Sequence, residues 1–172
     1  MMGPFRKGAL PFMKHRAFWV RFFLVASLLT AALIFWFSTQ EGVESQALSD
    51  GVTLQAARIV KPDFEQLPPD TRMSFLETVS YVVRKCAHFL EFTLLGFNLT
   101  GLYRAWRWEK KPLNALGLAL LTGALYAATD ELHQLFISQR SAAVLDVLID
   151  SAGALTGALV MTGLRALALR RR

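Results

Sequence analysis

The sequence predicts an all-α integral membrane protein, a four-transmembrane-helix bundle with its N and C termini cytoplasmic. Three observations carry that reading. Apolar residues make up 53% of the 172-residue chain, above the ~45–50% usual for soluble domains. They fall into four long runs separated by charged segments. The Lys and Arg residues lie beside those runs and not along one face or stripe. Despite a net charge of +6, this distribution points to a membrane surface and gives no nucleic-acid partner.

Each element follows in order. Residues 1–16 form a basic cytoplasmic leader. The first span covers about 17–37 and is broken only by Arg21. It lacks a clear small-x-small cleavage site, so it reads as a retained anchor and not as a signal peptide. Residues 38–80 form an external loop, in which Gln46 to Val60 suits a short amphipathic helix. The second span, about 82–103, is interrupted by His88, Glu91 and Asn98. It extends backward as one longer helix capped by Asp70 after Pro68 and Pro69, because Met73, Leu76, Val79 and Val83 recur at helical spacing. The third span covers about 112–130. The fourth covers about 144–164 and contains Asp146 and Asp150, and a basic tail follows at 165–172. Each run approaches the ~20 residues that cross a hydrocarbon core about 30 Å thick.

Orientation follows from the bases, since cytoplasmic loops carry the excess of Lys and Arg. The leader and start of the first run hold Arg6, Lys7, Lys14, Arg16 and Arg21 with no acid, and the tail ends in Arg170, Arg171 and Arg172. Between the second and third spans lie Arg104, Arg107, Lys110 and Lys111 against Glu109. The stretch from Gln40 to Ser80 has seven acids and three bases. One topology satisfies every segment, and it places the chain in the cytoplasmic (inner) membrane as a multi-pass protein.

Depth then becomes informative. At ~1.5 Å of rise per residue, Glu91 lies ~20 Å, His88 ~24 Å and Lys85 ~28 Å above Arg104. Asp150 lies ~22 Å and Asp146 ~28 Å above Arg165, while Asp130 and Glu131 lie ~28–30 Å above Lys111. Three helices therefore set their ionisable groups in one outer slab. Lys85, His88 and Glu91 share a helix face, as do Asp130 with Gln134 and Asp146 with Asp150. Ionisable residues within a bilayer are costly and normally face the bundle interior in pairs. Together with Arg140, these residues are expected to line an outward polar pocket. Simpler roles stand beside that one: Asp130, Glu131 and Arg140 as surface-loop residues, Lys85 as a snorkelling side chain, His88 as a helix–helix hydrogen-bonding group. Gly153 and Gly157 form a GxxxG pattern that reads as close helix packing.

At these residues the sequence resembles the VanZ-like family. The matching elements are Phe37-Ser38-Thr39-Gln40 with Ser45, Lys85-Cys86-Ala87-His88-Phe89-Leu90-Glu91-Phe92, and Thr129-Asp130-Glu131-Leu132-His133-Gln134-Leu135-Phe136. Arg140, Asp146-Val147-Leu148-Ile149-Asp150 and Gly153 complete them. Two positions depart from the family pattern: Phe92 stands where Tyr is common, and Asp150 where Asn is frequent. The family is named for a protein conferring low-level resistance to teicoplanin, a glycopeptide acting on external cell-wall precursors. The resemblance implies an envelope protein more firmly than it implies a reaction.

Three functions remain open on the sequence. The first is binding of, or protection against, an extracytoplasmic amphiphile, either a glycopeptide or a lipid-linked precursor, through Lys85, His88, Glu91, Asp130, Glu131, Gln134, Arg140, Asp146 and Asp150. The second is a membrane-embedded hydrolase or transferase with His88 as base and Glu91 or Asp130 as its partner. The third is a small transporter, for which oligomerisation with further copies would supply more spans. No nucleophile elbow, HExxH or P-loop is present and no cofactor is expected. A metal version of the second reading could use His88, Glu91, Asp130, Asp146 and Asp150, an oxygen-rich set suited to a divalent cation. Lys85 in the same patch argues against it, because its charge would repel the ion, so no metal is expected. Cys86 is the only cysteine, so no intrachain disulfide forms.

Overall fold

The computed structural model describes residues 9–39, 42–107, 112–137 and 143–170. The described chain is helical, with no strand. Five α-helices follow one another: α1 (Ala9–Thr39), α2 (Gly42–Val60), α3 (Pro69–Arg107), α4 (Pro112–Gln134) and α5 (Val144–Arg170), with a short 3-10 turn at Phe64–Gln66 between α2 and α3.

The helices outrun the expected spans for local reasons. α1 begins at Ala9, inside the leader, because Pro11 falls in its first turn, where a missing N–H removes no helical bond. α3 begins at Pro69, the first helical position, which suits proline. Asp70 is therefore not the cap. It lies in the first turn, where its charge complements the helix dipole, and the first bond runs from Arg72 N to Pro68 O at 2.9 Å. α4 likewise opens on a proline and runs one turn past residue 130. α5 meets no Gly or Pro beyond Gly163 and carries the helix through the basic tail to Arg170.

α3 is the hub, touching α1, α2, α4 and most extensively α5. Its contact with α5 is built from small residues. An added Cβ on Gly157 would fall on the Thr93 carbonyl, and one on Gly153 on the Phe89 carbonyl. From the other side, a Cβ on Gly96 would strike Ala154. In lipid, where apolar surfaces gain little by meeting, such close backbone approach is a main source of helix association. The central core holds Ile34, Phe92, Leu95, Leu99, Ala119, Ala127 and Ala158.

A second, smaller core joins α2 to the N-terminal part of α3 through Ala57, Phe64 and Val79, flanked by Leu76 and Val83. Three of the four residues of the stripe that extends α3 backward, Leu76, Val79 and Val83, thus join this core, while Met73 stays exposed. The helix expected at Gln46–Val60 starts four residues earlier, at Gly42.

The outer surface of the long helices is strongly apolar. Leu29, Leu33, Leu90, Leu121, Leu125, Leu148 and Leu159 are each more than half or about half exposed. Two helical stretches, Arg16–Thr39 and Val144–Ala168, are long and apolar enough to cross a membrane. α3 and α4 are more polar in composition because Lys85, His88, Glu91 and Asn98 interrupt the first, and Thr122, Tyr126 and Asp130 the second.

Candidate functional site

Two helices present polar ladders to each other. On α1 the buried positions are Phe23, Ser27, Thr30, Ile34 and Ser38, spaced three or four apart as one helix face requires. On α4, Thr122, Tyr126, Asp130 and Gln134 recur every fourth residue. The rungs connect across the bundle. Thr122 Oγ1 lies 2.8 Å from the Tyr103 hydroxyl, and the Tyr126 hydroxyl donates to Ala31 O at 2.7 Å. Lower down, Asn98 Nδ2 donates to Thr30 Oγ1 at 3.2 Å.

The ladders end at Asp130, which is 4% exposed. Its Oδ2 accepts from Ser38 Oγ at 2.7 Å and from Gln134 Nε2 at 3.0 Å. Gln134 Nε2 also reaches Ser38 Oγ at 3.3 Å, closing a triangle. Asp130 Oδ1 is buried with no hydrogen-bond partner.

α3 and α5 complete the cluster. His88, Asp130 and Asp150 each offer an oxygen or nitrogen atom, and the three atoms lie within 4.8 Å of one another. Asp150 is 2% exposed. Beside this group Lys85 Nζ forms an ion pair with Asp146 Oδ2 and sits 5.1 Å from the centre of the Tyr81 ring. His88 Nδ1 and Glu91 Oε2 are 4.0 Å apart, an electrostatic contact too long for a hydrogen bond. Glu131 has turned to a different task. Its Oε2 accepts from Ala143 N at 3.0 Å, fastening a carboxylate to the start of α5, where the helix dipole favours negative charge.

The expected residues thus separate into parts. His88, Asp130, Gln134 and Asp150 converge with Ser38. Lys85 and Asp146 pair with each other alongside, Glu91 stands next to His88, and Glu131 holds the α4–α5 connection. Arg140 lies outside the described residues. Of the catalytic candidates, His88 has Asp130 close by and Glu91 at ion-pair distance.

Several contributors carried no mark as site residues. Ser38 is fully buried and binds Asp130. A cleft of about 130 Å3 adjoins Asp130 and is lined by Phe35, Tyr126, Thr129 and His133. The His133 ring stacks on Phe35 with centroids 4.9 Å apart. The signal that could have found them was positional: Tyr126 and His133 lie four before and three after Asp130, on its helix face.

No curated protein and no solved structure matches the chain. Residues 23–166 match the VanZ/LLP1 family, a stretch that includes every described residue of the cluster, and the chain therefore belongs to that family.

Proposed function

We propose that the chain crosses the cytoplasmic membrane four times, through α1, α3, α4 and α5, with both termini in the cytoplasm. On this reading its polar cluster faces outward and binds an extracytoplasmic amphiphile, a glycopeptide or a lipid-linked precursor, and so protects the envelope. The observation that carries the reading is the convergence of half-buried His88 with buried Ser38, Asp130, Gln134 and Asp150, drawn from four helices whose outer surfaces are apolar.

Charge supports the orientation. At the opposite end of the bundle Arg16 donates from Nε to Ala105 O at 3.1 Å and from its terminal nitrogen to Trp106 O. Arg104 lies within electrostatic reach of Arg165, and two of its guanidinium nitrogens are buried with no hydrogen-bond partner. Three helices thus gather bases at one pole, which suits the anionic headgroups of a cytoplasmic leaflet. At the other pole the cleft beside Phe35 and His133 gives an apolar tail and a polar headgroup adjoining surfaces.

A hydrolase or transferase is the second reading, favoured by the closeness of His88 to two carboxylates, an arrangement suited to proton transfer. One experiment serves both. Wild type and His88→Ala, Glu91→Gln and Asp130→Asn are expressed at matched membrane levels in a glycopeptide-sensitive Gram-positive host, and teicoplanin susceptibility is measured. Binding predicts protection by wild type and graded losses across the variants. Catalysis predicts that a single substitution such as His88→Ala abolishes function while expression stays normal. An absence of protection by well-inserted wild type would remove the glycopeptide reading.

A further inference from the structure

We propose that His88, Asp130 and Asp150 form a site for a divalent transition-metal cation. The proposal deepens the reading of the same pocket, but its test uses the metal alone and so stands or falls separately.

Geometry comes first. Three atoms within 4.8 Å of one another have a common centre no more than about 2.8 Å from each, so small side-chain rotations reach the ~2.0–2.2 Å of zinc bonds. The ligands come from α3, α4 and α5; Gly96, Gly153 and Gly157 lock α3 against α5, and α4 meets α5 closely where Gly123 faces Ala154. Their spacing is thus set by the bundle and not by a loop.

The surroundings of Asp130 fit the same role. Its Oδ2 is oriented by Ser38 and Gln134, the kind of outer hydrogen bond that positions a metal-binding carboxylate. Its Oδ1 is buried with no hydrogen-bond partner, a state that is unfavourable unless something occupies it. Asp130 and Asp150 are both more than nine-tenths buried, and two adjacent buried carboxyls must either share a proton or be offset by positive charge, which a bound cation supplies.

Lys85 was the sequence-level objection to a metal. The structure weakens it, because the Nζ charge is offset by Asp146 and faces the Tyr81 ring. One imidazole with two carboxylates suits zinc, manganese or iron better than an all-oxygen ion. Three protein ligands leave a further coordination position open.

The test uses untagged full-length protein in detergent micelles, stripped with chelator and dialysed against Zn2+, with metal content read by mass spectrometry. Wild type is expected to retain one equivalent. Asp130→Asn, Asp150→Asn and His88→Ala are each expected to bind at least ~10-fold more weakly, and Ser38→Ala ~10-fold, as for outer-shell losses. Cys86→Ser, at an exposed thiol, should be unchanged. Because a lost buried acid can unfold the bundle, wild type loaded with Co2+ supplies an independent reading. Intense visible bands of a four- or five-coordinate ion support the site. A spectrum of hexa-aquo Co2+, no retained Zn2+, or equal affinity in folded Asp130→Asn and Asp150→Asn would overturn it.

Discussion

One oxygen of Asp130 holds two donors while the other holds none, and that asymmetry sets what single substitutions do. Ser38→Ala removes a buried O–H donor and should destabilise the folded bundle by about 1–2 kcal/mol, the upper range for hydrogen bonds between membrane helices. Denaturant titration in mixed micelles measures it. Lys85→Met leaves Asp146 without its ion-pair partner. The side chains are 24% and 13% exposed, so the loss should be about 1–3 kcal/mol, below that of breaking a fully buried pair. Lys85→Met with Asp146→Asn should recover most of it, and a double-mutant cycle reads the coupling. The depth of Glu91 and Asp150 was legible from helical rise alone, because an acid far from either interface must find company. Ser38 was not. A serine late in an apolar run is an ordinary residue until the helix facing it is known.

Among the elements, α5 depends on the absence of side chains. Gly157→Leu would drive a side chain into the Thr93 carbonyl of α3 and should cost about 2 kcal/mol or more, as overpacking does. Gly163→Ala meets nothing within 4 Å and should be neutral or stabilising by up to about 1 kcal/mol. The same micelle titration separates the two. Removing Phe64, which is 2% exposed in the small core, should act on α2 and the N-terminal turns of α3 that pack on it. Phe64→Ala is expected to raise amide exchange in α2 while leaving the exchange of α4 and α5 unchanged. The GxxxG of α5 and the backward extension of α3 could be read from spacing. The polar ladder of Thr122, Tyr126, Asp130 and Gln134 had equally regular spacing, yet alanines and leucines between its rungs made α4 look like a plain span. The cap at Asp70 was misplaced because Pro69 itself is a favourable first residue.

For the whole molecule, the two poles differ in kind: arginines gather at one and buried acids at the other. The four-span reading predicts which surfaces face which compartment. In a Cys86→Ser background, Asp50→Cys should react with an impermeant maleimide in intact cells, and Arg170→Cys only after permeabilisation. Both native positions are exposed, so burial does not confound the comparison. The run lengths and flanking charges carry that proposal in the sequence, and the structure bears out the helices and two stretches able to cross a membrane. The hub position of α3 does not follow from them, because it arises from which glycines meet which backbone. α3 is about 58 Å long by its 39 residues, well beyond a ~30 Å hydrocarbon core, and its excess length carries α2.

Because the cluster takes Ser38 from α1, His88 from α3, Asp130 from α4 and Asp150 from α5, it has an order of birth. A chain leaving the ribosome supplies Ser38 first and Asp150 last, roughly 110 residues later by position. On the four-span proposal, until α5 is inserted the nascent protein would hold Asp130 with Ser38 and Gln134 but without Asp150 beside it. A polypeptide truncated before Val144 would keep that half-built acid and lack the Gly153–Gly157 face that packs on α3. The last helix therefore supplies both the final acid of the cluster and the small-residue face that closes the bundle around it.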